Sequence, residues 1–275
     1  MAVRPRVGGA VAVPMVLAVL ALLVQALLSG CTAGARQAPV PEVKGTVTVY
    51  APASLTEILT AFAADFELHN PNLTVKVIFG ADSEMTQSAM ADVASTGTAA
   101  DPRATVLIVE GRAPLDTLGS LADPSPVTFA RNQLVVAIAP GNPKRLVGVG
   151  DLARPDLRVV LCAETEPCGT TSAAVLTAAG VKPLAPIRVP DVRTALAQVE
   201  QGKADAALVY RTDTRIVDDT VGTLEFAESR AALAEYQAVV LAGSSNAHSA
   251  QVFLNTLAST AMAETLAAAG FQVSG

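Results

Sequence analysis

Residues 46–59 read TVTVYAPASLTEIL, and this stretch decides the fold class. TVTVY (46–50) is rich in β-branched residues and predicts a strand. The residues after it follow a helical period that places four apolar side chains near one face: Leu55, Leu59, Phe62 and Phe66. A strand that leads straight into an amphipathic helix is typical of a β-α-β unit, so the stretch predicts an α/β protein.

The same alternation continues along the chain, with further predicted strands at PNLTVKVIF (71–79), NQLVVAIAP (132–140), LRVVLC, ADAALVY and QAVVLA (237–242). ATVLIV (104–109) is continuously apolar, as expected for a parallel strand buried on both faces. The order predicts mainly parallel sheets covered by helices, in which ligands bind beyond the carboxyl ends of the strands. Roughly 240 residues remain after the N-terminal segment, which is more than one typical core and predicts two lobes.

The N-terminal segment has the pattern of an export signal. Two Arg precede the apolar run AVAVPMVLAVLALLVQALL, and LSGC (28–31) follows it, similar to a bacterial lipobox. We therefore expect residues 1–30 to be a lipoprotein signal peptide, Cys31 to carry lipid, and residues 31–43 to form a tether to an extracytoplasmic domain at the cell membrane. The alternative is a transmembrane anchor, since the run is nearly long enough to span a bilayer.

Charge and cysteine content exclude some classes of protein. The formal net charge is −6, and it becomes −8 without the first thirty residues, which carry two Arg and no acid. Such a chain is a poor partner for nucleic acid. Outside the cytoplasm we expect Cys162 and Cys168, in LCAETEPCGT, to form a disulfide. No further Cys or nearby His completes a metal site.

No enzyme motif is present. The sequence lacks G-x-S-x-G, a P-loop and G-x-G-x-x-G. His69 and His248 lie at a predicted helix end and helix start, where an exposed His is the expected interpretation. We therefore expect neither catalysis nor a cofactor.

Uncharged hydrogen-bond donors gather at the predicted junctions of strands and helices. The first N–H groups of a helix are free and carry a partial positive charge, so several helix starts together can bind an oxyanion without Lys or Arg. At Ser54 two interpretations stay open: a capping box with Glu57, or a hydroxyl directed at a ligand. The junction residues are Ser54 in ASLTE, Asp82 and Ser83 in FGADSEMT, Gly169 in EPCGTTS, Asp191 in PDVRTA and Tyr210 in LVYRTD.

These segments carry a resemblance. Over most of residues 46–270 the chain resembles the periplasmic molybdate-binding proteins of ABC importers, through ASLTE, FGADSEMT, NQLVVAIAPGNPKRLVGVGDLARPDLRVVLC, PCG and DVRTALAQVEQGKADAALVY followed by TD. The resemblance implies a two-lobed periplasmic-binding-protein-like fold, with lobe I at 44–126 plus 222–275 and lobe II at 127–221. It implies a monomer that captures molybdate or tungstate for an importer permease.

The resemblance also implies the ligand-binding groups. They are the hydroxyl of Ser54, the N–H groups of Cys168 and Val192, and the hydroxyl of Tyr210. The family's second ligand Ser lies in a Gly-Ser-Ser run, where this chain reads Gly-Ala-Asp-Ser, so Asp82 stands at the ligand position and Ser83 one residue later. The family's acids at the end of the third strand are also absent, and ATVLIVEG places Glu110 and Gly111 there.

Asp82 leaves three outcomes open. A carboxylate about 4 Å from a dianion costs roughly 4 kcal/mol per charge pair at an effective dielectric near 20. Asp82 either caps its helix and faces away, leaving Ser83 to bind, or accepts a hydrogen bond from a protonated oxyanion, or removes the site. The alternatives to molybdate capture are therefore a different oxyanion or small polar solute, or an envelope protein that binds other proteins instead.

Overall fold

The computed structural model describes residues 1–2, 41–93, 103–122, 125–217 and 219–273. The predicted signal peptide beyond its first two residues, Cys31 and most of the tether lie outside these residues. The helices and strands of the described residues belong to the compact unit from Glu42 to Gly275. In chain order they are β1 (Gly45–Pro52), α1 (Thr56–His69), β2 (Leu73–Gly80), α2 (Asp82–Val93), β3 (Arg103–Glu110), α3 (Ala113–Asp116), β4 (Val127–Asn132), β5 (Leu134–Ile138), β6 (Val159–Cys162), α4 (Pro167–Ala178), β7 (Ile187–Val189), α5 (Val192–Glu200), β8 (Ala206–Tyr210), α6 (Arg211–Ile216), β9 (Gly222–Leu224), β10 (Ala234–Val240), α7 (Ala247–Leu257) and α8 (Thr260–Ala269).

Within the described ranges, no helix has the length and apolar character needed to cross a bilayer.

Two five-stranded sheets define two lobes. The first lobe has the strand order β2-β1-β3-β10-β4, and the second has β7-β6-β8-β5-β9. β1 pairs in parallel with β2 and β3, and β6 pairs in parallel with β7 and β8. β10 and β5 run antiparallel to their neighbours. The predicted fold class, two lobes each with a mainly parallel sheet flanked by helices, is confirmed.

The sheets divide the chain differently from the boundaries predicted at 126/127 and 221/222. β4 follows the first boundary but is hydrogen-bonded to β10 in the first sheet. β9 follows the second boundary but is hydrogen-bonded to β5 in the second sheet. The chain therefore crosses between the lobes at residue 133 and again between residues 225 and 233.

One side chain ties the two crossovers together. The amide nitrogen of Gln133 donates to Glu225 (3.2 Å) and to the hydroxyl of Ser229 (3.1 Å). Its amide oxygen accepts from Gln272 (2.9 Å) near the C-terminus. Gln133 is buried, so these hydrogen bonds compensate for the loss of its hydration and fix the two crossovers side by side.

The predicted apolar face of α1 forms part of the first core. Leu59, Phe62 and Phe66 are buried, and the ring centroid of Phe62 lies 5.0 Å from that of Phe253 in α7. Residues 106–109 of β3 are fully buried, as their continuous apolar run predicted. The second lobe has its own core of mainly Val, Leu and Ala. The helix starts are thus held on two lobes, each with its own hydrophobic core.

Candidate functional site

A small chamber lies between the two lobes. The first lobe contributes residues 52–54, residues 80–82 and Glu110, and the second contributes Cys168, residues 190–192 and Tyr210. These segments follow the carboxyl ends of β1, β2, β3 and β8, where the sequence placed the site. Among the described residues that line the chamber there is no Lys or Arg. Of the predicted site residues, Ser54, Asp82, Cys168, Val192 and Tyr210 line it and Ser83 does not.

Ser54 does not cap a helix. It lies in a single 3₁₀ turn between β1 and α1, and neither this turn nor α1 has a side-chain cap. The Ser54 Oγ instead lies 2.8 Å from the hydroxyl oxygen of Tyr236, in β10. Glu57, the proposed partner in the capping box, pairs with Arg193 of the second lobe. The capping-box interpretation is therefore wrong, and the Ser54 hydroxyl lies buried at the wall of the chamber.

The second lobe presents two helix N-termini to the chamber. Cys168 is the second residue of α4 and Val192 is the first residue of α5. Asp191 caps α5: its carboxylate accepts from the N–H of Thr194 (2.7 Å). Because the first N–H groups of a helix have no acceptor within the helix, those of Cys168 and Val192 are positioned to bind an anion.

The disulfide predicted between Cys162 and Cys168 is present, with Cα atoms 5.8 Å apart. It links the end of β6 to the start of α4. Next to it, a Cβ on Gly169 would lie 1.8 Å from the carbonyl oxygen of Ala163, so only glycine allows this approach. The disulfide and the glycine together fix the N–H of Cys168 against the end of the strand.

We expect Gly169→Ala to displace the start of α4 and with it the N–H of Cys168. The added methyl group overlaps backbone atoms of residue 163, which cannot rotate away. Destabilisation of about 2 kcal/mol is the usual order for such overpacking, and chemical denaturation measures it. Gly150→Ala is the matched control, because nothing lies within 4 Å of its added Cβ. Equal stability of the two variants would contradict the close packing.

At the start of α2 a carboxylate, and not a serine hydroxyl, lines the chamber: Asp82 lines it and Ser83 does not. Asp82 is only 6% exposed, and its Oδ1 accepts the N–H of Glu110 at 2.8 Å. Ser83 donates its N–H and its hydroxyl across the lobes to Glu166, and it lines an adjoining cleft of about 730 Å³. Asp82 and Glu110 therefore line both the chamber and the cleft, whereas Ser83 lines only the cleft.

Glu110 is a chamber residue outside the predicted ligand set. It ends β3 and is 3% exposed, and its Oε1 accepts hydrogen bonds from the hydroxyls of Tyr210 and Thr171, the latter at 3.1 Å. Both donors belong to the second lobe, so this carboxyl bridges the lobes. The available signal was a lone acid directly after the apolar run 106–109.

Burial controls the protonation of the chamber. It raises the pKa of Glu110 to about 7, although the hydrogen bonds from Tyr210 and Thr171 act in the opposite direction. Burial, and next the charge of Glu110, raise the pKa of Asp82 well above its usual range. Burial likewise raises the pKa of Tyr210, so its hydroxyl stays a donor at neutral pH.

The chamber suits a small anion but is closed in this conformation. Its volume is about 10 Å³, whereas a single water needs about 10–15 Å³ on this measure. A tetrahedral oxyanion thus requires the lobes to part or Glu110 to withdraw. Among the described residues, no group of three or more His, Cys, Asp and Glu could hold a metal ion. His69 and His248 do not line the chamber.

Two α/β lobes joined by two crossovers, with a chamber of polar groups between them, define the class of two-lobed solute-binding proteins. The sequence model of the bacterial extracellular solute-binding proteins matches residues 47–272. The chain therefore belongs to this family of solute-binding, extracytoplasmic proteins.

Three named proteins are similar to this chain in sequence or in structure. The molybdate-binding protein ModA of Mycobacterium bovis is 32% identical over 260 residues, which cover 91% of this chain and 94% of the relative. The periplasmic molybdate-binding protein of Azotobacter vinelandii has a similar structure, with a TM-score of 0.68 and 17% identity over 84% of this chain and all of the other. The sulfate-binding protein SubI of Mycobacterium tuberculosis has a TM-score of 0.61 and 19% identity, covering 83% and 87%.

Proposed function

We propose that this protein captures molybdate outside the cytoplasm and delivers it to the permease of an ABC importer. The observation that carries the proposal is the meeting of Ser54, Cys168, Val192 and Tyr210 in one chamber without Lys or Arg. The 32% identity to a molybdate-binding protein over nearly the whole of both chains supports the same ligand.

The donors suit an anion that bridges the lobes. The Ser54 hydroxyl belongs to the first lobe, while the N–H groups of Cys168 and Val192 and the hydroxyl of Tyr210 belong to the second. An oxyanion bound by both sets links the two lobes across the widened chamber, as ligands do in the hinge closure of two-lobed proteins. Tungstate has nearly the same size and charge, so we propose that it binds at the same site.

The location proposed for the protein follows from its N-terminal sequence. Removal of residues 1–30 would leave Cys31 at the N-terminus with lipid attached, and residues 31–43 would tether the lobes to the membrane. Several acyl chains give a stable hold, whereas one is marginal. We propose a monomer, because the chamber is completed by the two lobes of one chain.

Calorimetric titration of the full-length protein in mild detergent with molybdate, tungstate and sulfate tests this function. We expect heat of binding and a rise in melting temperature with molybdate and tungstate, since a ligand that binds only the folded state stabilises it by mass action. The absence of heat and of a thermal shift with all three anions, between about pH 6 and about pH 8.5, would contradict the proposal.

Ser54→Ala is expected to weaken molybdate binding. Hydrogen bonds to charged groups contribute about 1.5–3 kcal/mol, so the dissociation constant should rise about tenfold to a hundredfold. The matched control is Thr177→Ala, which removes an exposed hydroxyl from α4 far along the helix from its N-terminus. Equal affinity of the two variants would show that Ser54 does not bind the anion.

A second candidate ligand is a different oxyanion or small polar solute that carries its own proton donors. The carboxyls of Asp82 and Glu110 favour it, because an ionised carboxylate only accepts hydrogen bonds. Phosphate, which is partly protonated at neutral pH, is the added arm of the titration. Tighter binding of phosphate than of molybdate would favour this candidate.

A further inference from the structure

Two carboxyl groups stand among the neutral donors of the chamber. The side chain of Asp82 and the end of β3 are joined, because Asp82 Oδ1 accepts the N–H of Glu110 at 2.8 Å. Glu110 Oε1 in turn accepts from Tyr210, one of the proposed ligand donors, and from Thr171. The Tyr210 hydroxyl cannot donate to an anion while it donates to Glu110, so anion and carboxylate compete for it.

Charge makes this competition severe. Each carboxylate within about 4 Å of a dianion costs roughly 4 kcal/mol per unit charge pair at an effective dielectric near 20, which is about a thousandfold in affinity. Among the described residues that line the chamber no cation offsets this cost. A protonated carboxyl, by contrast, is itself a hydrogen-bond donor. Protonation thus converts each acid from a repelling group into one more group suited to an oxyanion.

We propose that Asp82 and Glu110 contact the oxyanion as protonated, hydrogen-bond-donating carboxyl groups, so that the protein takes up protons from solvent when it binds a dianion. This inference rests on the proposed function, and it assigns both acids as specificity-determining residues. The chamber thereby selects an oxyanion that accepts hydrogen bonds at every oxygen, as molybdate and tungstate do.

The neighbouring groups make such uptake accessible near neutral pH. Burial is the largest cause that raises the pKa values of both acids, and Glu166 raises both further. Arg112 lines the adjoining cleft with both acids and pairs with Asp116. Arg193, beside Asp213, is engaged by Glu57 and by Asp213. The Asp191 carboxylate is engaged by Thr194. The titratable and charged groups that line the chamber or the adjoining cleft with the two acids are Arg112, Asp191, Tyr210 and Glu235. Glu166, Asp213 and Tyr236 also interact with their charges.

The direction of the pH effect follows from linkage. A dianion next to Asp82 and Glu110 raises their pKa values further, so the complex holds more protons than the free protein above about pH 7. Affinity for molybdate therefore falls as pH rises. Each proton taken up corresponds to about a tenfold loss of affinity per pH unit.

Calorimetry of the full-length protein with sodium molybdate, in buffers of different ionisation enthalpy between about pH 6 and about pH 8.5, counts these protons. We expect uptake of about one proton or more per molybdate at about pH 8. Glu110→Gln should lower the uptake and tighten binding at that pH, because it removes the charge that repels the dianion. The fold is retained, since the amide oxygen can still accept from Tyr210 and Thr171. Asp82→Asn should likewise lower the proton uptake and tighten binding. Its amide oxygen can still accept the N–H of Glu110.

Asp156→Asn is the control, since Asp156 is an exposed acid paired with Arg154 and should leave the proton count unchanged. Binding of molybdate with no proton uptake and a pH-independent affinity would overturn this inference and leave the proposed function intact. Binding by the two neutral variants but not by the wild type would also overturn it, because the acids would then only repel the anion. No binding by any of the three proteins would overturn the proposed function itself.

Discussion

Arg193→Met is expected to destabilise the protein by about 3–5 kcal/mol at about pH 8, the usual cost of removing one partner of a buried ion pair. Nε of Arg193 lies 3.3 Å from Oδ1 of Asp213, which is fully buried in α6. The other carboxylate oxygen accepts the N–H of Tyr210 at 3.0 Å. Without Arg193 the charge of Asp213 has no cation beside it, and urea denaturation measures the resulting loss.

The effect should depend on pH in a definite direction. Burial raises the pKa of Asp213 to about 7, while Arg193 acts to lower it. Loss of Arg193 therefore raises this pKa further, and protonation of Asp213 removes most of the penalty at about pH 5.5. The variant should lose much less stability there than at about pH 8.

Two further variants make the cause of this loss testable. Asp213→Asn in the Arg193→Met background should restore most of the stability, because the amide oxygen still accepts from Tyr210 and no buried charge remains. Glu57, the other partner of Arg193, is about half exposed. Glu57→Gln removes its charge and should lower the stability by no more than about 1 kcal/mol. An Arg193→Met variant as stable as Glu57→Gln at about pH 8 would contradict the account of this pair.

The ligand-free protein should lose stability as pH rises from about 5 to about 8, with a contribution on the order of 3 kcal/mol from Glu110 alone. The pKa of Glu110 is raised from 4.5 to about 7 in the folded protein, chiefly by burial. The folded state thus binds more protons than the unfolded state between these values, so stability is greatest below them and falls as Glu110 ionises. Asp213 acts in the same window and direction.

Paired acids act in a different window. Arg158 lowers the pKa of Asp205, so that pair contributes stability above the ordinary Asp range, and the contribution is lost only on stronger acidification. Urea unfolding at about pH 5.5 and about pH 8 separates the two effects. Glu110→Gln should weaken the dependence of stability on pH over this interval. Glu264→Gln, a change at an exposed position, should leave that dependence unchanged. A wild-type protein that gains stability on going from pH 5.5 to 8 would contradict the assignment.

The sequence predicted those features that local patterns determine. The helical spacing of Leu59, Phe62 and Phe66 predicted the buried face of α1, and the run at 104–109 predicted a central strand. Convergence of the junction residues was predictable because the carboxyl ends of parallel strands meet at one edge of a sheet. The Cys162–Cys168 disulfide was predictable from their short separation and the export signal.

Features that depend on long-range pairing were not predictable in this way. Glu110 becomes a site residue only through Tyr210, 100 positions away, and Ser54 leaves its capping pattern because Tyr236, 182 positions away, offers a better partner. The three-residue strand β9 carries too little pattern to reveal its sheet. Asp82 faces the chamber because the N–H of Glu110 binds its carboxylate, which the sequence around residue 82 does not encode.

The central claim is that uncharged donors of both lobes hold one oxyanion. The most direct measurement is a crystal structure of the molybdate complex in which anomalous scattering locates the molybdenum atom. The account predicts a single peak between the lobes, with oxygens within hydrogen-bond distance of the Ser54 and Tyr210 hydroxyls and of the N–H groups of Cys168 and Val192. A peak in the adjoining cleft beside Ser83, or a bound anion that contacts only one lobe, would contradict it.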